Sequence, residues 1–231
     1  MNPTTSPSDI DEALARLRDT DLIQLPVEEM EKVLPTLGMN DECLLEMPAE
    51  LAPFFGKGLK FWQYPNQFAK LLNLLKGRPA ATYLEIGSRW GGTFVIIDSL
   101  LRRLNPSLRS YAMDIIECPP LLDAYSNGND ITYIRGDSRS PKSWQPLPMS
   151  IDVVFIDGDH SWRGAHNDFC WAKSYAPKTI VFHDTINEKC PDVRDYWQGI
   201  KRAYKRTVEF HDQYDSVQGS YLGIGVLFLE D

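Results

Sequence analysis

Five short apolar runs, at residues 83–86, 110–113, 131–134, 151–156 and 179–182, recur along the chain with helix-length spacers between most of them. Runs of four to six apolar residues are too short for core helices and suit buried strands. Residues 98–104 lie in the first crossover helix and 162–173 in a later one. Strands that alternate with helices form βαβ units, which build a parallel sheet covered on both faces. After the fifth run comes a helix, read as capped by Asp192, with Val193, Tyr196, Trp197, Ile200 and Tyr204 on one face. Two strand-like runs, 207–211 and 221–229, then close the chain around a polar, glycine-containing loop. That is a hairpin, so the spacing predicts a mainly parallel seven-stranded sheet finished by an antiparallel element. No 20–50-residue self-similarity is present, which excludes a solenoid.

Ahead of the strands, residues 1–7 are polar with two prolines and read as disordered. Ser8 and Asp11 make a capping-box-like start, and Ile10, Ala13, Leu14 and Leu17 fall on one helical face. A second helix is predicted over 27–37, opened by Pro26 and closed near Gly38. These helices define an extension, residues 1–58, that lies over the domain, covers a site or meets another subunit; residues 59–231 form the domain itself. The aromatic stretch 59–65 leads into a helix carrying Phe68, Leu71, Leu72 and Leu75. It either borders a pocket or packs that helix on the sheet.

A chain of 231 residues suits one sizeable α/β domain better than two small ones. The net charge of −8 repels phosphate backbones and disfavours a nucleic-acid partner. Lys201-Arg202 and Lys205-Arg206 form the one basic cluster, read as the solvated face of a surface helix. Cys43, Cys118, Cys170 and Cys190 are far apart and contain no C-x-x-C pair, so reduced cytoplasmic thiols are expected. No apolar run approaches the ~18 residues of a membrane span, and the first residues lack signal-peptide character.

The chemistry concentrates at the carboxyl ends of the predicted strands. They end at Glu85, Asp114, Asp137, Asp157 and His183-Asp184. In an open α/β sheet these ends line one crevice, where ligands bind. Neighbouring carboxylates repel and raise one another's pKa. Five of them are tolerable if hydrogen-bonded, if a cation sits among them, or if the ligand is cationic. Any one of them alone also suits a helix N-cap.

The first strand runs into Glu85-Ile86-Gly87-Ser88-Arg89-Trp90-Gly91-Gly92, an E-x-G-x-x-x-G-G turn leading into a helix. It lacks the G-x-G-x-x-G of a dinucleotide site. The pattern resembles the first motif of class I S-adenosylmethionine-dependent methyltransferases, and the parallel sheet ending in a hairpin is the arrangement of that family. The resemblance covers about residues 60–229. It implies that Glu85, Gly87, Ser88 and Gly91 border the methionine part of the cofactor. By the same resemblance Asp114 takes the ribose hydroxyls, and Asp137-Ser138 lie beside the adenine. A cationic sulfonium cofactor also suits an acid-lined crevice.

The fourth and fifth strand ends, Asp157-Gly158-Asp159-His160 and His183-Asp184, resemble those of bacterial enzymes that O-methylate sugars and antibiotic scaffolds. Several such members hold magnesium through an acid at the fourth strand end and two at the fifth. Position by position, that assigns metal ligation to Asp157, His183 and Asp184, with Asp157 also bordering the cofactor. His183 departs from the carboxylate pattern, and magnesium prefers oxygen, so a softer divalent ion or no ion is an equal reading. Methyl transfer to a hydroxyl needs a base; Asp159 and His160 are the candidates. His166 and His211 read as surface residues. The implied function is methylation of a hydroxyl on a small molecule, with a homo-oligomer as one option and no nucleic-acid or membrane partner. A nicotinamide-dependent oxidoreductase and a non-catalytic cofactor-binding protein of the same fold are alternatives; a metal-dependent phosphoesterase, suggested by Gly158-Asp159-His160 and His183-Asp184, is disfavoured by a total of four histidines.

Overall fold

Each apolar run becomes a strand in the computed structural model, which describes residues 7–230. The strands are β1 Thr82–Ile86, β2 Arg109–Asp114, β3 Ile131–Arg135, β4 Val153–Ile156, β5 Thr179–Phe182, β6 Thr207–Phe210 and β7 Ile224–Phe228. They form one sheet in the order β3-β2-β1-β4-β5-β7-β6. The first five are parallel, with Tyr83 opposite Val153 and Ile156 opposite Phe182. Strand β7 inserts antiparallel between β5 and β6. The predicted sheet and closing hairpin are therefore present. The strand order reverses between β1 and β4, which opens a crevice at their carboxyl ends.

The pleat explains why these runs are apolar without interruption. Strands β1, β4, β5 and β7 are buried along their whole length, whereas edge strand β6 is half-buried and edge strand β3 is largely half-buried or exposed. Alternate side chains feed opposite cores. Tyr83, Ala112, Phe155 and Val181 pack on one face, while Leu84, Met113, Ile156 and Phe182 pack on the other. Glu85 shares the Tyr83 face through the same two-residue period, which lets the Tyr83 hydroxyl donate to it at 2.5 Å.

The helices are α1 Pro7–Asp19, α2 Val27–Val33, α3 Pro65–Lys76, α4 Gly92–Leu104, α5 Pro120–Ser126, α6 Pro141–Trp144, α7 Trp162–Ser174 and α8 Pro191–Ile200. Helix α1 buries Ile10, Ala13, Leu14 and Leu17 as the periodicity requires. It begins at Pro7, so Ser8 lies inside the first turn and not at a cap. Disorder over residues 1–6 concerns positions outside the described residues; residue 7 is helical. Helix α2 tightens into a 3₁₀ turn over Leu34–Leu37, because Pro35 lacks the donor an α-turn uses. Gly38 then leaves the turn at φ 99, where a Cβ would lie 2.0 Å from the Lys57 carbonyl oxygen. Met30, Leu34 and Leu37 are fully buried in the same cluster as Phe68 and Leu100.

Asp192 is not the cap of α8: Cys190 holds that position, and Asp192 accepts the backbone N–H of Trp162 at 3.0 Å. That bond ties the start of α7 to the start of α8. The basic cluster is not a helix face either. Lys201 and Arg202 sit in a 3₁₀ turn, Lys201 pairs with Glu209 at 2.7 Å, and the Arg206 guanidinium lies over the Phe228 ring. Among the described residues no helix is long and apolar enough to cross a membrane.

Candidate functional site

The carboxyl ends of the parallel strands surround a cavity of about 610 Å³, and every residue singled out from the sequence as catalytic, cofactor-binding or metal-ligating lines it. The glycine turn builds one wall. Gly87 adopts φ 83, and a Cβ there would sit 1.9 Å from the Asp157 carbonyl oxygen, so only glycine lets β1 and β4 end side by side. Its N–H donates to the Met113 carbonyl at 2.8 Å, fastening the turn to β2. Gly91, at φ 86, opens α4 against Leu122. Gly92 makes room for the chain itself, since a Cβ there would strike the backbone of Leu59 and Phe61. Ser88 is buried with an unpartnered hydroxyl.

Each strand-end acid is compensated in its own way. Asp114 accepts the N–H of Arg89 at 2.6 Å through one oxygen and that of Ile116 at 3.2 Å through the other, which fixes the carboxylate and leaves lone pairs free. Asp137 is clasped by the Arg139 guanidinium at 2.7 Å, which holds its pKa below the usual carboxylate value. Glu85 is buried, and that burial pushes its pKa up to about 8 despite the Tyr83 hydrogen bond. Asp168, on α7 behind Gly158, is also fully buried, and neither oxygen completes a hydrogen bond. Burial raises it to about 6, with the nearby Ser138 hydroxyl opposing the shift.

At the fourth and fifth strand ends two carboxylates and two imidazoles alternate. Asp157 Oδ1 lies 3.2 Å from His160 Nε2, which lies 3.3 Å from Asp184 Oδ2. Asp184 Oδ2 lies 3.6 Å from His183 Nδ1, which returns to Asp157 Oδ1 at 3.0 Å. Burial alone would raise the Asp157 pKa, but His183 and His160 outweigh it and hold it well below the ordinary range. The same acids outweigh burial at both histidines: His160 is raised, and His183 is raised to about 8. Asp184 occupies the left-handed region at φ 59, and Asn187 donates to its Oδ1 at 2.7 Å, which turns Oδ2 toward the ring. Asp159 stands beside the ring, accepting from Ser161 N at 3.0 Å and facing Arg139 at 3.8 Å.

The sequence reading did not anticipate several lining residues. Cys190 places its thiol 3.6 Å from His160 Nδ1. Cys43 and Glu46 reach the cavity from the leading segment, where burial and the nearby Asp184 raise the Glu46 pKa. Arg89 pairs with Glu42 at 2.7 Å, with its guanidinium 5.7 Å from the Trp62 ring and 5.6 Å from the Trp90 ring. The aromatic stretch thus does both things considered for it: Phe61 and Tyr64 are core, while Trp62 lines the cavity. His211 is exposed as expected, but His166 is half-buried, stacked on Trp162 at 5.2 Å.

Residues 84–185 match a family described as a methyltransferase domain. No curated protein sequence matches the chain. Similar solved structures include an O-methyltransferase from Bacillus cereus in complex with SAH, at 18% identity and TM-score 0.56, covering 95% of this chain and 99% of that one. TomG from Streptomyces achromogenes, an O-methyltransferase involved in tomaymycin synthesis and solved with SAM, shares 15% identity at TM-score 0.53, over 90% of this chain and all of its own. CalS11, a TDP-rhamnose 3'-O-methyltransferase of calicheamicin biosynthesis, shares 15% at TM-score 0.53, over 98% of this chain and 96% of its own. Sheet order and glycine turn agree with these neighbours: the chain has the class I methyltransferase-like fold, and its residues 84–185 are similar to a methyltransferase domain.

Proposed function

We propose that this chain moves the methyl group of S-adenosylmethionine to a hydroxyl of a small molecule, a sugar or a secondary metabolite. The observation that carries this reading is the convergence on one cavity of the glycine turn, the oriented Asp114 carboxylate and the acid–base groups at Asp159 and His160. Glu85, Gly87, Ser88 and Gly91 border the methionine moiety, whose ammonium and sulfonium charges suit buried acids. Asp114 keeps lone pairs for the ribose hydroxyls. Because Arg139 occupies Asp137, adenine recognition falls mainly to Ser138 and the adjoining backbone. A sugar-nucleotide methyltransferase and an antibiotic-pathway O-methyltransferase among the structural neighbours favour the acceptor class.

In the reaction a base takes the acceptor's hydroxyl proton, the oxygen forms a bond to the methyl carbon, and the carbon–sulfur bond breaks to leave a neutral thioether. Asp159 and His160 stand where that base is needed. The extension called from the sequence over 1–58 serves as a cap: its Cys43 and Glu46 line the cavity together with Asn187 and Lys189 beyond the fifth strand, so it shapes the acceptor side while 59–231 holds the cofactor. A net charge of −8 argues for a small-molecule acceptor over nucleic acid; self-association is a further option.

The residues at Asp157, His183 and Asp184 do not fit magnesium, which favours an all-oxygen shell, because imidazole nitrogen faces both carboxylates. No step is assigned to that ion. The test is transfer of labelled methyl from S-adenosylmethionine to a panel of sugar nucleotides, phenols, amines and thiols. Labelling of hydroxyl acceptors supports the reading; labelling confined to amines or thiols overturns it.

A further inference from the structure

We infer that Asp168 is a positioning residue that makes the cofactor site selective for adenine. Its buried carboxylate accepts the Ser138 O–H, which leaves the Ser138 oxygen facing the ligand as an acceptor for the exocyclic amino group. The inference deepens the proposed function and rests on its placing of Ser138 beside the adenine.

Asp168 stands apart from the acids that line the cavity. It lies on α7 behind the cavity wall, fully buried, with neither oxygen in a completed hydrogen bond. Burial opposes its ionised form, the nearby Ser138 hydroxyl favours it, and Asp159 and Asp137 add repulsion. An unsatisfied buried carboxylate is costly, so its place calls for a use. A Cβ on Gly158 would lie 2.8 Å from Asp168 Oδ2, so the glycine between Asp157 and Asp159 leaves room for the carboxylate where it stands.

The loop after β3 has its other groups engaged. Ser143 Oγ donates to the Asp137 carbonyl at 2.7 Å, and Trp144 Nε1 donates to the Ser138 carbonyl at 2.7 Å. Trp144 is itself buried and stacked on Trp171 at 5.6 Å, which makes a firm anchor. The Asp137 carboxylate takes the Arg139 N–H at 2.9 Å and its guanidinium at 2.7 Å, so it is not free for an adenine amino group. Ser138 lines the cavity, and its hydroxyl is left to read the base.

A hydroxyl has one proton and two lone pairs and can present either to a ligand, whereas an ionised carboxylate only accepts. Asp168 therefore turns the Ser138 proton inward and leaves lone pairs outward. Those match the amino group of adenine and oppose the carbonyl oxygen that hypoxanthine carries at the same position. A site of fixed hydrogen-bond polarity rejects the mismatched analogue, because a buried polar group is left unpaired. An asparagine at this position could instead donate to the Ser138 oxygen, which frees the hydroxyl proton to face the ligand.

The experiment measures binding of S-adenosylhomocysteine and S-inosylhomocysteine, which differ at that one position of the base, to the full chain. The parent should hold the adenine compound at least about tenfold tighter. Asp168→Asn and Ser138→Ala should each bring the ratio to about one, and the double variant should match either single one, because the two residues act together. Ser138 is half-buried, so Ser138→Ala reads the same ratio without disturbing the core. Circular dichroism confirms that the variants fold. An Asp168 that only supports the fold would weaken both compounds alike and leave the ratio standing. Equal affinities in the parent, a parental ratio in Asp168→Asn, or additive losses in the double variant would each overturn the inference. Methyl labelling separates the two readings: a ratio lost in Asp168→Asn with no hydroxyl acceptor labelled by the parent removes the proposed function alone, and labelled hydroxyls with an unmoved ratio remove only this inference.

Discussion

Substituting Gly87 by alanine probes the joint on which the cavity depends, and the structure sets its magnitude. The residue sits at φ 83, where an L side chain costs about 1–2 kcal/mol. Its new Cβ would lie 1.9 Å from the Asp157 carbonyl oxygen and 2.8 Å from Gly158 Cα, both backbone atoms that cannot swing away. Forcing such an overlap apart typically adds about 1–3 kcal/mol. The sum, about 2–5 kcal/mol, is a large part of a domain's usual 5–15 kcal/mol. Two other glycines divide the effect. Gly128 has φ 93 with nothing within 4 Å of a Cβ, so Gly128→Ala carries only the backbone part, about 1–2 kcal/mol. Gly199 lies in α8 with open space around it, and Gly199→Ala should stabilise by about 0.5–1 kcal/mol. Urea unfolding of the three variants gives the ranking, and titration with S-adenosylmethionine should show loss of affinity in Gly87→Ala alone. If Gly87→Ala is no worse than Gly128→Ala, the close approach of β1 to β4 is not what the glycine provides.

Asp152 accepts the N–H of Ala81 at 2.6 Å and that of Thr82 at 3.2 Å, and pairs with Lys178 at 3.1 Å. Burial opposes its ionisation, but these partners prevail and lower its pKa, so its stabilisation is full above about pH 3.9 and fades as pH falls through the folded value. Asp152→Asn should cost about 1–3 kcal/mol at neutral pH and flatten the acid limb of the unfolding curve; an unchanged limb contradicts this. Glu85 has the opposite sign. Its folded pKa, raised to about 8 by burial, makes the fold lose stability as pH climbs from about 4.3 toward that value, so Glu85→Gln should gain on the parent across this window. A cationic cofactor ionises the acid, so calorimetry near neutral pH should show proton release as a buffer-dependent binding enthalpy; equal enthalpies in two buffers refute it. Asp159→Asn should cut turnover by about 10²–10⁴ with cofactor affinity kept, and equal kcat in the parent excludes Asp159 as the base.

The parallel sheet was legible because strands buried on both faces read as unbroken apolar runs, as at Val153–Ile156. The site was legible because strand ends in such a sheet converge, so Glu85, Asp114, Asp157 and Asp184 could be placed together from their positions in the runs. What lay beyond reach were contacts between segments far apart in the chain. No local pattern marks Cys190 as a neighbour of His160, or Glu46 as a neighbour of Asp184. The Asp192 misreading has a local cause. An acid after Pro191 looks like a cap, but the proline at the first helical position already sets the helix start, which frees Asp192 to accept from Trp162. The buried burden of Met30 and Leu34 was similarly hidden, since amphipathic helices read alike whether they cover a core or belong to one.

Isothermal titration of the full chain with S-adenosylmethionine tests most directly whether the acid-lined crevice is a sulfonium-cofactor site. One molecule bound per chain with micromolar affinity, weakened at least tenfold in Asp114→Ala through loss of the ribose contacts, is the predicted result. A folded protein that takes up neither S-adenosylmethionine nor its demethylated product would contradict the claim.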